Sequence, residues 1–219
     1  MADQRERIYG RRPVAEAERG PRHVHQIWRA PDTPGEELTR LAGSPDHQGV
    51  VAEVDPYPYA DPAELLAQPD ALLVALDQVQ DPHNLGAVCR SAEAAGAAGV
   101  VIPQRRAAAV TAAACKASAG AVEHLAVARV RNLADWLSEA RGAGFWAWGA
   151  DSGAPTAYTD ADLRDGAVLV LGGEGKGLRP RVAASCDGLV AIPQRGRTAS
   201  LNVSAAAAVL LYEALRQRG

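Results

Sequence analysis

Ile192-Pro193-Gln194-Arg195-Gly196-Arg197-Thr198-Ala199-Ser200-Leu201-Asn202-Val203-Ser204-Ala205-Ala206 runs from the end of a strand, through a loop, into a helix. The apolar run 189–192 stops at Pro193, which cannot donate to a sheet ladder. In the polar loop that follows, Gly196 frees the backbone and Arg195 and Arg197 add positive charge. Ser200 and Asn202 are residues that satisfy free N–H groups at a helix start, and the alanine-rich stretch 203–217 continues as the helix. Alone, the stretch also reads as an ordinary strand–loop–helix joint.

Working outward, the apolar run 72–76 leads into Asp81-Pro82-His83-Asn84-Leu85-Gly86-Ala87-Val88-Cys89-Arg90-Ser91. Pro82 stops the ladder, and a helix is expected to begin near Asn84. Asn84 and Arg90, six apart, do not share one line of a helix. They converge on one ligand if Asn84 sits at the mouth and Arg90 reaches back; otherwise they are a cap and a solvated arginine. A third apolar run enters Gly172-Gly173-Glu174-Gly175-Lys176-Gly177-Leu178. Glycines permit positive φ and close backbone approach. The loop departs from a phosphate-binding loop, with Val170 where the first glycine should stand and Gly177 in place of the hydroxyl residue. Leu178 breaks the dinucleotide fingerprint as well, so a phosphate-loop nucleotidase is disfavoured.

Apolar runs at 72–76, 99–102, 124–130, 145–149, 168–171 and 189–192 alternate with helical stretches near 84–96, 107–117, 132–142, 178–185 and 203–217. That alternation predicts an α/β fold with a parallel sheet covered on both faces. Residues 55–70 hold Pro56, Pro58, Pro62 and Pro69 and read as a partly stiff linker. The expected organisation is a small α/β/α module over 1–58, a proline-rich linker over 59–70 and a larger domain over 71–219.

Taken in order, Asn84/Arg90, Gly172-Gly173-Glu174-Gly175 and Ile192-Pro193…Ser200-Leu201-Asn202-Val203-Ser204 resemble the three motifs of the SpoU (TrmH/RlmB-like) family of RNA 2′-O-ribose methyltransferases, of the SPOUT class. Lys116-Ala117-Ser118-Ala119-Gly120-Ala121 is similar to a further family segment. One departure is Gln194, where many members carry methionine. The front, Tyr9-Gly10-Arg11-Arg12-Pro13 and His47-Gln48-Gly49-Val50, resembles the L30e-like substrate-binding domain of the RlmB-type branch.

The resemblance implies a trefoil-knotted methyltransferase domain with S-adenosyl-L-methionine as cofactor. It implies donor contacts at Gly172, Gly173, Ile192 and Leu201, and catalytic positions at Arg90, Asn84, Glu174, Ser200 and Asn202. Whether Ser200 and Asn202 cap the last helix or touch substrate stays open. The implied substrate is a guanosine of 23S rRNA. The alternatives are tRNA, an rRNA adenosine as in antibiotic self-resistance enzymes, or a non-catalytic rRNA-binding assembly factor. A homodimer through the last helix is also implied. That helix has an apolar stripe at Val203, Ala206, Ala207, Leu210, Leu211, Ala214 and Leu215, whose ordinary reading is burial within the same chain.

Composition agrees: 47% hydrophobic and 22% charged residues describe a folded chain. Net charge is −3, unevenly spread: residues 1–29 carry seven Arg against four acids, and 30–70 one Arg against nine. Arginines also gather near the motifs, at 90, 105, 106, 179, 181, 195 and 197, with Lys176. Arginine forks suit phosphates and stack on bases, although a coding bias toward Arg, Ala and Gly explains part of their number. Cys89, Cys115 and Cys186 lack metal or redox spacing and read as packed, reduced thiols. No apolar run reaches the ~20 residues a membrane crossing needs, and the charged front does not read as a signal peptide. The expectation is a cytoplasmic protein without metal.

Overall fold

The computed structural model describes residues 5–173, 175, 177–197 and 200–219. By its contacts the chain divides into two compact units.

The first gathers the residues up to Pro58 together with Pro82–Arg90 and Ala109–His124. Strands β1 (Glu6–Tyr9), β2 (Val24–Arg29) and β3 (Val50–Val54) form an antiparallel sheet in the order β1-β3-β2. The middle strand, Val-Val-Ala-Glu-Val, is buried at all but its glutamate. Helix α1 (Arg11–Ala17) buries Val14 and Ala17. Helix α2 (Gly35–Ala42) buries Leu38 and Leu41, three apart, and exposes Glu36, Glu37 and Arg40, the pattern of an amphipathic surface helix. Arg22 lies inside this unit. Its Nε donates to Glu123 Oε2 at 2.9 Å and its Nη2 to Glu123 Oε1, while its guanidinium lies 5.5 Å from the Tyr57 ring centroid. Tyr57 Oη in turn donates to the Val122 carbonyl at 2.9 Å. Two charges removed from water hold together only in such a satisfied pair, and this one ties the segment ending at His124 to the N-terminal residues.

The second unit, Tyr59–Asp81, Ser91–Ala108 and Leu125–Gly219, is built on a seven-stranded parallel sheet. Its strands are β4 (Leu72–Asp77), β5 (Gly99–Pro103), β6 (Ala126–Val130), β7 (Trp146–Ala150), β8 (Thr156–Ala157), β9 (Ala167–Gly172) and β10 (Gly188–Ala191), in the order β6-β5-β4-β9-β7-β10-β8. The central strands β4 and β9 are apolar almost without break and buried on both faces, as parallel strands are. On one face Leu73, Ala75, Val168 and Val170 pack with Leu133, Trp136 and Leu137 of α6 (Leu133–Gly142) and Val182 of α7 (Pro180–Ser185). Within 59–70 the chain is extended at Ala60, which bridges Ala128, then forms α3 (Pro62–Leu66), capped by Asp61 and burying Leu65. Helix α4 (Pro82–Ala94) runs from one unit into the other.

The strands expected at 72–76, 99–102, 145–149, 168–171 and 189–192 all form. Three local readings need correction. The helix expected over 107–117 is confined to α5 (Ala112–Ala117): Arg106 has φ +58°, Ala108 N–H bonds the Val79 carbonyl at 2.8 Å, and Thr111 starts the helix afresh as its cap. The strand expected from 124 begins at Ala126, because a 3-10 turn over Ala121–Glu123 and the bond from His124 N–H to the Ala121 carbonyl occupy the approach. β8 was not foreseen; two residues are too short for a periodic signal.

Candidate functional site

The site lies at the carboxyl end of the parallel sheet, where open α/β sheets bind ligands. A cavity of about 690 Å³ is enclosed there by the end of β7 and the residues after it (Ala150, Asp151 and Ser152), the end of β9 with its glycine turn (Leu171, Gly172, Gly173, Gly175, Gly177 and Leu178), and the end of β10 with the residues after it (Val190, Ile192 and Gln194). Ser200, Leu201, Asn202, Val203 and Ala206 at the start of α8 (Val203–Arg218) close it. A volume of this size suits a small-molecule ligand.

The glycine turn forms for a local reason. A Cβ on Gly172 would collide with the backbone of Gly177 and Leu178, and one on Gly173 with the Gln78 carbonyl. Their lack of a side chain therefore serves the chain's own close packing, and not only approach to a ligand. Gly173 N–H bonds the Asp77 carbonyl at 2.8 Å, and Gly177 N–H bonds the Gly173 carbonyl at 3.2 Å. At the start of α8, Asn202 Oδ1 accepts from Ser204 N–H at 2.8 Å and from Ser204 Oγ at 2.6 Å. Asn202 thus caps the helix, which is one of the two roles open to it. Ser200 is exposed on the cavity wall.

Of the residues singled out from sequence, Gly172, Gly173, Ile192, Leu201, Ser200 and Asn202 line this single cavity, although up to thirty positions separate them along the chain. Glu174 and Lys176 lie outside the described residues. Asn84 and Arg90 stand on α4, in the part that belongs to the first unit. Asn84 is buried and Arg90 exposed, as expected for positions about 120° apart around a helix.

Two wall residues, Asp151 and Gln194, and one buried residue behind the glycine turn, Asp77, escaped the sequence reading or were undervalued. Asp151 follows β7 and folds back on itself, its Oδ1 accepting from Gly153 N–H at 2.8 Å. It is the one ionisable side chain among the described residues lining the cavity, and Asp151-Ser152-Gly153 is a turn signal hidden behind the strand alternation. Gln194, the departure from the family pattern, stands on the wall and donates to the Ile192 carbonyl at 3.2 Å. Asp77, fully buried at the end of β4, accepts from Arg179 N–H at 2.8 Å and from Arg179 Nε at 2.7 Å. An acid closing an apolar strand was the readable anomaly.

Among the described residues no group of three or more His, Cys, Asp or Glu side chains is placed to hold a metal ion, and no helix is long and apolar enough to cross a membrane. Burial pushes the Cys89 and Cys115 thiols up to about 12, and Cys186 likewise.

Comparison with known proteins agrees with this geometry. An uncharacterized tRNA/rRNA methyltransferase of Synechocystis is 40% identical over 97% of this chain, which spans 62% of that relative's length. The crystal structure of an AdoMet-bound rRNA methyltransferase from Sinorhizobium meliloti superposes with a TM-score of 0.86 at 25% identity, covering 97% of this chain and 87% of that one. That of an RNA 2′-O ribose methyltransferase gives 0.84 at 27%, covering 99% and 90%. The profile of the SpoU rRNA Methylase family matches residues 71–212; the chain belongs to that family.

Proposed function

We propose that this protein is an S-adenosylmethionine-dependent 2′-O-ribose methyltransferase acting on a guanosine of 23S rRNA in the cytoplasm. The observation that carries the reading is the single cavity formed by Gly172–Gly173, Ile192 and Ser200–Asn202, three turns distant in sequence. Its described wall bears one carboxylate, Asp151, and no lysine or arginine, which suits a ligand with a sulfonium and an ammonium group. Apolar contacts come from Leu171, Leu178, Ile192 and Leu201. When bound, the cofactor supplies an activated methyl group. The chain's own contribution is to orient it by backbone groups of the turns and to exclude water, since positioning provides much of the rate of such a transfer.

Arg90 is a poor proton acceptor, because a guanidinium keeps its proton. Its role in this reading is to hold the phosphate beside the target ribose and orient the hydroxyl, with Asn84 ordering the start of α4 and Glu174 steadying the glycine turn. Arg90→Lys retains the charge and loses the fork; near-full methyl transfer by that variant removes the orienting role. The sequence resemblance of residues 1–58 to an L30e-like RNA-binding domain favours rRNA over tRNA. The neighbour named as an rRNA methyltransferase, matched over 97% of this chain, supports the same choice.

A knotted C-terminal region is part of this proposal. A strand order that puts β9 between β4 and β7, with β10 beyond β7 and α8 packed on β9, supports it. So is a homodimer through α8, where Tyr212 and Leu215 are exposed although Val203, Ala207, Leu210, Leu211 and Ala214 are buried within the chain. Light scattering at micromolar concentration giving a mass near 22.9 kDa removes the dimer.

The test of function is a map of 2′-O-methyl sites in RNA from cells with and without the protein, alongside donor titration by calorimetry. One methyl signal missing from 23S rRNA is expected. An unchanged rRNA map with a missing tRNA signal replaces the substrate, and absence of donor binding removes the enzyme.

A further inference from the structure

A second cavity, of about 870 Å³, opens in the same unit at the carboxyl ends of β4, β5 and β6. Its wall holds Arg105, Arg106, Arg129, Arg131, Arg179 and Arg181. The acids on that wall are Asp135, paired with Arg181 at 2.5 Å, and Glu139; Arg179 is paired with Asp77 behind it. None of the ion pairs among the described residues involves Arg105, Arg106 or Arg131.

Four further observations point to an anionic ligand. Trp136 lines the cavity, is only 3% exposed, and its indole Nε1 has no hydrogen-bond partner among the described residues. Arg129 lies over the Tyr59 ring at 4.9 Å and gives one Nη2 bond to the Gln104 carbonyl, while its Nε is buried without an acceptor. Buried donors left without acceptors are rare and ask for a ligand. The ten-residue helix α6 also begins on this wall, at Asn132 to Trp136, and a helix start favours negative charge. Gln78 and Arg106, two of the four non-glycine residues with positive φ among the described residues, stand on the same wall; such conformations collect at ligand sites.

We propose that this cavity takes backbone phosphates of an RNA strand and grips the substrate apart from the cavity that receives the methyl donor. The proposal rests on the RNA-methyltransferase reading. The described walls of the two cavities differ in charge, one bearing the carboxylate of Asp151 and the other six guanidinium groups against Asp135 and Glu139, as a cationic donor and a polyanionic substrate require. Adjacent residues divide them: Leu178 faces the donor cavity and Arg179 the basic one.

The test compares the full chain with the double variant Arg105→Ala/Arg131→Ala, both exposed positions outside the donor cavity. Binding of a fluorescein-labelled 23S rRNA transcript is followed by anisotropy across a salt series, with S-adenosylmethionine binding followed by calorimetry. The expected result is RNA binding weakened by ~10-fold or more, a salt slope lower by about 2, and unchanged donor affinity. Arg105→Lys/Arg131→Lys, which keeps the charge, should recover part of the affinity. Unchanged RNA affinity and slope in the alanine variant overturn this site and leave the RNA reading standing. A wild type that binds donor and no RNA overturns both. ATP or pyrophosphate binding lost in the variant, with RNA binding intact, marks a small-anion site and overturns the proposal.

Discussion

Asp77 holds both ends of the glycine turn: its carbonyl accepts Gly173 N–H at 2.8 Å, and its carboxylate accepts Arg179 N–H at 2.8 Å and Arg179 Nε at 2.7 Å. Asp77 is fully buried, so removing its partner strands a charge in the sheet. Arg179→Met is expected to lower the unfolding free energy by about 3 kcal/mol, and Asp77→Asn by less, because an amide leaves no buried charge. Urea denaturation measures both, and equal stability of Arg179→Met and wild type would show that the carboxylate is satisfied without the guanidinium.

Gly172→Ala tests the close packing of the turn. A Cβ there meets the Gly177 and Leu178 backbone, which has no flexible end to move aside. Donor binding measured by calorimetry should fall at least tenfold, about 1.4 kcal/mol, with a lowered melting temperature. Gly175→Ala is the contrast. A Cβ at Gly175 meets open space but sits at φ +76°, so its cost is backbone strain of about 1 kcal/mol.

Asn202 distinguishes capping from catalysis. Its Oδ1 receives Ser204 N–H at the start of α8. Asn202→Ala should cost about 1 kcal/mol of stability and Asn202→Asp almost none. If Asn202→Asp retains stability while methyl transfer collapses, the side chain also contacts substrate; parallel losses in stability and activity in the alanine variant confine it to the cap.

The three thiols are free, with Cys89 and Cys115 buried and Cys186 partly so. Desolvation holds all three at about 12, and the thiolate is the reactive form. Iodoacetamide at pH 8 should therefore label the folded protein slowly and the urea-unfolded protein quickly at all three positions. Rapid single labelling of the native chain, located by mass spectrometry, would place one of them in an open environment.

Glu213 on α8 accepts from Arg216 Nη2 at 2.7 Å and Gln217 Nε2 at 2.8 Å. The hydrogen bond from Arg216, then that from Gln217, lowers its carboxyl from the ordinary 4.5 to about 2. A depressed carboxylate contributes stability above its unfolded value, and that contribution is lost as pH falls through the folded one. The melting temperature of Glu213→Gln should lie below wild type at pH 7 and at pH 5. The gap should shrink below pH 4.5 and close near pH 2; a gap constant to pH 2 would mean packing, not charge, sets the difference.

The central strands were legible because their signal is local. Leu72 to Leu76 and Val168 to Leu171 are unbroken apolar runs that only a doubly covered sheet can bury. The start of α8 was legible for a similar reason, since Asn202 carries its cap chemistry in its own side chain. β8 and the restart of the chain at Thr111 were not, because a two-residue strand and a single positive φ at Arg106 leave no periodic trace.

By itself, the sequence determined an α/β chain with apolar strands, glycine-permitted turns, a capped final helix and an arginine-rich charge. Tertiary structure alone decided that β9 lies between β4 and β7, so that Gly172, Ile192 and Leu201 enclose one cavity. It also decided that Asp77 reaches Arg179 across 102 positions and that arginines scattered from 105 to 181 share one wall. The physical reason is that strand order and the pairing of buried charges are set by which surfaces pack together, and neither propensity nor spacing along the chain encodes that choice.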